Sequence, residues 1–141
     1  MRVTTLVENT KLESRSDLSV EHGLSLHIYY NDKNILFDTG ATKMFSNNAE
    51  KLSVDIQKVD MVVISHHHYD HVGGLAYFIE ENQKAKVFLK KCEEREYYFR
   101  ALGIINKFVG FDKDFFQRYP DRLIFINKFI EISPDVFILT K

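Results

Sequence analysis

The sequence predicts an α/β fold of the α+β kind, in which a mixed and mostly antiparallel sheet carries flanking helices. Three features predict it: short runs of β-branched and aromatic residues, two segments with helical spacing of apolar residues, and a buried strand leading into a histidine cluster. The chain has 141 residues, of which 45% are hydrophobic and 28% charged, an ordinary globular composition. We therefore interpret residues 1–141 as a single domain.

The N-terminal part predicts an antiparallel start to the sheet. Residues 3–8 and 24–30 are strand-like, and the polar residues 9–17 between them predict a loop. Residues 31–34 predict a tight turn into a third strand at residues 35–38. Strands joined by so short a turn pair antiparallel.

The rest of the chain alternates helices and strands and then closes in a series of hairpin strands. Apolar residues at helical spacing predict a helix from Lys43 to Leu52 and another after Gly74. Residues 59–65 form a short apolar run that predicts a strand buried on both faces. Further strands are predicted at residues 86–90, 123–126, 129–132 and 136–139, with a helix at residues 92–102 and a turn at residues 134–135.

Charge and cysteine content exclude several classes of partner. With 19 basic and 20 acidic residues the net charge is -1, so the chain lacks the electrostatic footprint of a protein that binds nucleic acid or an anionic membrane. Nucleic acid remains possible only as a chemical substrate. Its one cysteine, Cys92, cannot form an internal disulfide, and Met1 leads into a charged segment instead of a signal peptide. Polar residues interrupt every apolar run. We therefore expect a soluble, cytoplasmic protein with no membrane partner.

Four of the six histidines lie within six consecutive positions directly after the predicted buried strand. The pattern His66-x-His68-x-Asp70-His71 combines imidazole and carboxylate, the ligands that suit Zn²⁺ and related divalent ions. In extended backbone His66 and His68 point the same way and can bind one ion, and Asp70 and His71 can reach a second as the chain turns. The alternative is a surface histidine patch with incidental metal affinity, or a set of histidines that are satisfied within the core near a turn. The strand before the cluster and the glycine pair after it favour the metal site.

Two stretches of the sequence resemble the first two motifs of the metallo-β-lactamase superfamily, also called β-lactamase superfamily II. They are residues 35–40, with the sequence ILFDTG, and residues 62–75, with the sequence VVISHHHYDHVGGL. Residues 21–25 (EHGLS) and Tyr69 resemble more narrowly the branch of dihydropterin ribofuranosylaminobenzene phosphate synthase-like metal-dependent hydrolases. The resemblance covers nearly the whole chain, from residue 3 to residue 140.

This resemblance implies the N-terminal half of an αβ/βα sandwich whose two halves both supply ligands to a dinuclear site. His66 and His68 would bind the first metal and Asp70 and His71 the second, with Asp70 also the implied catalytic residue. Asp38 would lie beneath the site and orient the ligand loop by hydrogen bonding, unless it is a plain turn residue. The implied activity is hydrolysis, in which metal-bound hydroxide attacks an ester, phosphoester or pterin-type small molecule. We expect Zn²⁺, two ions per complete site, with Mn²⁺ or Fe²⁺ as alternatives.

Four side chains around the motif are open to two interpretations. His67 should point away from His66 and His68, which predicts a surface residue, or otherwise one that supports the ligands or touches substrate. By the resemblance, Glu21 and His22 lie at the active-site mouth, although a loop before a strand can be purely structural. Tyr69 either donates a hydrogen bond to substrate or packs beside the metal loop.

The resemblance also implies ligands that this sequence does not contain. A relative supplies two further histidines and a bridging aspartate from its C-terminal half, whereas no histidine follows His71. A catalytic zinc usually has three protein ligands and a water. We therefore interpret the domain as truncated on its C-terminal side: a piece of a longer enzyme, one half of a split enzyme, or a self-associating remnant.

Three functions are compatible with this interpretation. The first is a metal-dependent hydrolase. The second is a non-catalytic or split-enzyme subunit that pairs with a second copy or a complementary C-terminal half, because half a sandwich leaves apolar faces uncovered. The third, a metal-storage or sensing patch, fits least well with a cluster that follows a buried strand.

Overall fold

A computed structural model of the chain describes residues 1–90, 98–101, 105–108 and 113–140. The strands are β1 (Arg2–Val7), β2 (Ser25–Tyr30), β3 (Lys33–Phe37), β4 (Met61–Val63), β5 (Lys86–Lys90), β6 (Tyr98–Ala101), β7 (Ile105–Phe108), β8 (Leu123–Ile126), β9 (Ile130–Ser133) and β10 (Val136–Ile138). The helices are α1 (Met44–Lys51), α2 (Tyr69–Val72), α3 (Leu75–Glu81) and α4 (Lys113–Arg118), with 3₁₀ turns at Glu13–Arg15 and Ile56–Lys58. In these ranges no helix is long and apolar enough to cross a bilayer.

A six-stranded sheet in the order β1-β2-β3-β4-β5-β8 organises the fold. The first three strands pair antiparallel, and β3, β4, β5 and β8 pair parallel. Two antiparallel hairpins, β6–β7 and β9–β10, form separate two-stranded sheets. Within the six-stranded sheet two pairings are antiparallel and three are parallel, so the sheet is mixed as predicted, but the parallel pairings of its centre outnumber the antiparallel ones.

Local sequence explains the change of direction within the sheet. The turn between β2 and β3 contains Asn31 and Asp32, both with positive φ (47° and 58°), which is the backbone of a two-residue hairpin turn. Between β3 and β4, and between β4 and β5, the chain instead passes through α1 and α3. Such helical crossovers are the connections that parallel strands require.

The apolar stripes predicted for α1 and α3 are buried on one face of the sheet, as expected. Phe45 on α1 and Phe78 on α3 are fully buried, together with Leu36 on β3 and Val62 on β4. A second, smaller apolar cluster lies on the other face, around Ile35, Met61, Phe88 and Ile126, where the β9–β10 hairpin packs. The strand predicted at residues 59–65 is therefore buried on both faces, although its regular part is only β4.

The helix predicted at residues 92–102 is wrong where the structure describes the segment. Tyr98–Ala101 form β6, which pairs antiparallel with β7; residues 92–97 and 102 lie outside the described residues. The aromatic pair Tyr98 and Phe99 favours a strand, and pairing with β7 completes its hydrogen bonds. Helix α4 was not predicted. The loop predicted at residues 9–17 contains the 3₁₀ turn Glu13–Arg15, and the three C-terminal strands and the turn at residues 134–135 are confirmed to within one residue.

His27 is a buried histidine on β2 that should make stability depend on pH. Its side chain is 3% exposed, and its Nε2 lies 3.1 Å from Oδ1 of Asn34. Burial lowers the pKa of His27, an effect that the Asn34 hydrogen bond partly opposes. The unfolded chain therefore binds the proton more readily, so stability present at neutral pH is lost as the pH falls below about 6.5.

His27→Gln should remove this part of the pH dependence. We expect the stability advantage of the wild type over the variant to shrink as the pH is lowered from about 7.5 to 5, because only the wild type is penalised for excluding a proton at this position. Urea unfolding of both proteins across this range measures the difference. An advantage that stays constant with pH would contradict the prediction.

Candidate metal centre

The histidine run lies where β4 ends and α2 begins. The imidazole of His66 is 4.7 Å from that of His68 and 4.0 Å from that of His71, measured between ring centroids. His68 has extended backbone, and the chain enters α2 at the next residue. Oδ2 of Asp70 is 3.5 Å from Nε2 of His71. The structure thus gathers the four side chains that the sequence singled out; their assignment as metal ligands stays a prediction.

Asp38 lies under this cluster and is completely buried. Its Oδ1 accepts a hydrogen bond from the backbone N–H of Ser65 (2.8 Å), and its Oδ2 accepts one from the Ser65 hydroxyl (2.7 Å) and one from Nδ1 of His71 (2.8 Å). The residue follows β3 with φ of 56°, a left-handed conformation that aspartate tolerates better than most residues. Because His71 donates through Nδ1, the neutral form of this ring has its lone pair on Nε2, the nitrogen that is then able to bind a metal.

The surroundings of His66 favour its uncharged imidazole. Burial, and after it the neighbouring His71 and His68, lower the pKa of His66. Asp38 and Asp70 act in the opposite direction. A neutral imidazole is the form that coordinates a metal, so the surroundings of His66 suit a metal ligand at this position.

The prediction that His67 is a surface residue is wrong. Its side chain is 4% exposed, and its Nε2 lies 2.6 Å from the carbonyl oxygen of Lys90, at the end of β5. Strand β4 lies between β3 and β5, so a side chain on the opposite side from His66 and His68 enters the protein instead of leaving it. The burial of the preceding strand on both faces was the signal that could have placed His67 inside.

The loop at residues 21–25 reaches the cluster from the other side. Nε2 of His22 is 3.3 Å from Oδ2 of Asp70, and the His22 side chain is otherwise largely exposed. Glu21 is occupied differently, because its carboxylate accepts hydrogen bonds from the backbone N–H groups of Ala41 and Thr42 (3.0 and 3.1 Å) and from the Thr42 hydroxyl (2.7 Å). His22 is therefore placed at the cluster, whereas Glu21 braces the loop before α1.

Tyr69 and Ser65 flank the histidines on the chain. Tyr69 begins α2 and is 45% exposed, so its ring is open to solvent beside the cluster. Ser65 was not singled out by the sequence analysis, yet it makes two hydrogen bonds to Asp38, and its Oγ lies 2.9 Å from Nδ1 of His66. A hydroxyl residue directly before the first histidine was the available signal.

Gly23 lets the loop approach Asp70 closely. Its φ of 138° lies in a region that residues with side chains rarely adopt, and a Cβ at this position would collide with the backbone carbonyl of Asp70. The neighbouring Leu24 N–H donates a hydrogen bond to the same carbonyl (3.3 Å). The loop and the start of α2 are therefore in direct backbone contact.

Gly23→Ala should separate these two segments. We expect the free energy of unfolding to fall by about 2 kcal/mol, because both the backbone conformation and the contact with Asp70 become strained. Val20→Ala, in the same exposed loop, serves as the control and should change stability by less than about 0.5 kcal/mol. Urea unfolding measures both variants, and equal stabilities would argue against the close contact.

The side chains of the cluster are of the types that bind a divalent ion, but too few of them converge on one point to hold it. Imidazole nitrogens and a carboxylate are zinc-type ligands, and the Asp38 hydrogen bond leaves Nε2 of His71 available. Over the described ranges of the chain, however, no three histidine, cysteine, aspartate or glutamate side chains converge as a set that could hold an ion. An ion at this place therefore needs rearrangement of these side chains or donors from elsewhere.

Comparison with known proteins establishes the family. Residues 19–100, more than half of the chain, match the profile of the metallo-beta-lactamase superfamily. The chain belongs to the metallo-β-lactamase superfamily. Members of this superfamily bind divalent metals, and the matched residues include the histidine cluster and Asp38.

Three relatives show what share of a longer superfamily protein this chain matches. It is 33% identical over 113 residues to an uncharacterised protein of Methanocaldococcus jannaschii (79% of this chain, 41% of the relative). It is 29% identical over 130 residues to the 7,8-dihydropterin-6-methyl-4-(β-D-ribofuranosyl)-aminobenzene-5′-phosphate synthase of the same organism (84% and 43%). The crystal structure of Tm1679, a metal-dependent hydrolase of the β-lactamase superfamily, matches with a TM-score of 0.65 and 27% identity (97% and 46%). The chain thus spans less than half the length of these relatives.

Proposed function

We propose that this chain carries one half of the dinuclear site of a metal-dependent hydrolase. His66 and His68 bind the first ion in this proposal, and Asp70 and His71 bind the second. The observation that supports it most strongly is the gathering of three imidazoles above the buried carboxylate of Asp38, with ring centroids 4.0 and 4.7 Å from that of His66. Zn²⁺ is the ion we propose, with Mn²⁺ and Fe²⁺ as metals of similar ligand preference.

The reaction we propose is hydrolysis of an ester, phosphoester or pterin-type small molecule. A divalent ion supplies Lewis-acid activation of water and of the substrate oxygen when it is bound. The chain's own residues would orient this chemistry. Asp38 holds His71 by a hydrogen bond, and Asp70, whose Oδ2 is 3.3 Å from Nε2 of His22, would help to hold the ion. The substrate class rests on the relatives, of which one is named as a metal-dependent hydrolase and another as a pterin-related phosphate synthase.

We further propose that the missing ligands come from a second copy or from a complementary C-terminal half. The chain spans less than half of its relatives, and the sheet face opposite the helices is only partly covered. A groove of about 840 Å³, lined mainly by apolar side chains, opens there between the sheet and the β9–β10 hairpin. Beside it the rings of Phe129 and Phe137 stack at 5.4 Å and are both more than half exposed. Apolar surface of this kind marks an interaction site.

The same open face favours a second candidate function, a non-catalytic or split-enzyme subunit that pairs with another chain to complete the fold. In that case the ligand cluster remains as a relic or becomes active only in the complex. The single Cys92 supports a reducing cytoplasm as the compartment for either candidate.

Metal content and molecular mass of the purified chain, measured before and after chelation and after zinc addition, separate the two candidates. For the hydrolase site we expect zinc that a chelator removes and that returns on addition. His66→Ala and Asp70→Ala should each lower the zinc stoichiometry, whereas Asp121→Ala, at an exposed aspartate outside the cluster, should leave it unchanged. A monomer that takes up no zinc would overturn the hydrolase proposal for this chain, and a metal-free complex would favour the pairing subunit.

A further inference from the structure

We propose that Ser65 is a positioning residue that holds His66 in the tautomer with a protonated Nδ1 and a free Nε2. The inference rests on the proposed function only in assuming that His66 binds an ion, since the hydrogen bonds themselves join residues of this chain. It assigns a role to a residue that lies next to the ligand motif but outside it.

The inference is based on three contacts of Ser65. The Ser65 hydroxyl donates to Oδ2 of Asp38 at 2.7 Å, and its backbone N–H donates to Oδ1 of the same carboxylate at 2.8 Å. The same Oγ lies 2.9 Å from Nδ1 of His66. Ser65 is thus a link between the fully buried Asp38 and the first histidine of the cluster.

The direction of each hydrogen bond follows from the groups involved. An ionised carboxylate can only accept, so the single hydroxyl proton of Ser65 belongs to its bond with Asp38. The Ser65 oxygen then has only lone pairs to offer His66, which means that Nδ1 of His66 must carry the proton. The proton positions are therefore assigned from the network, and they leave Nε2 of His66 as the unprotonated nitrogen.

One carboxylate then sets the tautomers of two histidines by different routes. His71 donates directly to Oδ2 of Asp38 at 2.8 Å, whereas His66 reaches the same oxygen through Ser65. The two rings lie 4.0 Å apart, so both free Nε2 atoms belong to a single cluster. Without Ser65, the direct bond would still hold His71, but His66 would lose its acceptor and its preferred proton position. An outer hydrogen bond of this kind fixes the orientation of a ligating imidazole and raises its basicity.

Long-range ¹H–¹⁵N NMR of the metal-free protein tests the assignment directly, at a pH where the histidines are neutral. We expect His66 and His71 both to show a protonated Nδ1 in the wild type. In Ser65→Ala, His66 should shift towards the Nε2-protonated tautomer that free histidine favours, while His71 stays as it was. Ser65→Thr, which keeps the hydroxyl, should restore the wild-type signals of His66. The exposed Ser14→Ala is the matched control and should change neither residue.

The zinc affinity of the same variants gives a second readout. Ser65→Ala should bind zinc about tenfold more weakly than the wild type, and Ser65→Thr should recover most of the loss. A wild-type His66 protonated on Nε2, or a His66 tautomer that is the same in Ser65→Ala, would overturn the inference even if the variant is less stable. Failure of the proposed function has a different signature, namely the expected tautomers in a protein that binds no zinc.

Discussion

Asp38→Asn should lower the zinc affinity of the chain by about 10- to 100-fold, the usual effect of removing a hydrogen-bond partner of metal-binding residues. The asparagine keeps the size of the side chain and tolerates the positive φ of this position. Its amide, however, has an NH₂ group in place of one carboxylate oxygen, and this group donates hydrogen bonds instead of accepting them. At least one of the buried donors on Ser65 and His71 therefore loses its acceptor. An unsatisfied buried donor should also lower the free energy of unfolding by about 2 kcal/mol.

Asp135→Asn is a matched control for this variant. Asp135 also has positive φ (62°), but it lies in the exposed turn between β9 and β10. The same substitution there should change stability by less than about 0.5 kcal/mol and leave zinc affinity unchanged. Competition with a zinc-binding dye and urea unfolding measure the two quantities. If Asp38→Asn behaved like Asp135→Asn in both, Asp38 would be a turn residue with no role in orienting the ligands.

Gly74→Ala, directly before α3, should destabilise the protein strongly. An added Cβ would collide with the carbonyl oxygen of Thr39 and would lie 2.7 Å from both the carbonyl oxygen of Thr42 and a ring carbon of Phe45. Two of these neighbours are backbone and the third is fully buried, so none of them can move cheaply. We expect the free energy of unfolding to fall by about 3 kcal/mol, at the upper end for overpacking.

The control for this variant lies on α3, the helix that Gly74 precedes. Glu80→Ala changes an exposed position of α3 and should shift stability by less than about 0.5 kcal/mol. Because Gly74 itself has negative φ (-81°), the loss in Gly74→Ala is attributable to crowding and not to an unfavourable backbone conformation. A variant as stable as the wild type would show that α3 does not pack this tightly against residues 39–42.

Much of the fold could be predicted because its elements follow local patterns. The helical spacing of Phe45 and Ala49 predicts α1, and the short apolar run Met61–Val63 predicts β4. Neither prediction needs knowledge of the neighbouring elements. The segment around Tyr98 shows the limit of this reasoning. The glutamates before this segment favour a helix. The structure instead pairs the segment with β7, and single-residue propensities do not contain the effect of a partner strand.

The residues of the candidate site were recognisable, but their supporting contacts were not. His66, His68, Asp70 and His71 share one motif, and a motif is a local feature of the chain. The bonds of Asp38 to Ser65 and His71 instead join residues 27 and 33 positions apart. They depend on the parallel pairing of β3 with β4, which brings the ends of both strands together.

Burial of His67 was missed for the same reason. Alternation along the strand correctly directs a side chain to the opposite side from its neighbours, but alternation alone does not tell whether that side is solvent or protein. The predicted burial of the preceding strand on both faces was the local indication that it is protein. His67 is buried because β5 lies beside β4, so that Nε2 of His67 is in hydrogen-bond contact with the carbonyl oxygen of Lys90 at the end of β5.

Anomalous diffraction from crystals of the zinc-loaded protein, with data above and below the zinc absorption edge, tests the central claim most directly. We predict a zinc peak at the histidine cluster, about 2.0–2.1 Å from imidazole nitrogens of His66 and His68, and a second beside Asp70 and His71. Zinc bound only at other sites of the protein, with the cluster empty, would contradict the assignment of these four residues as metal ligands.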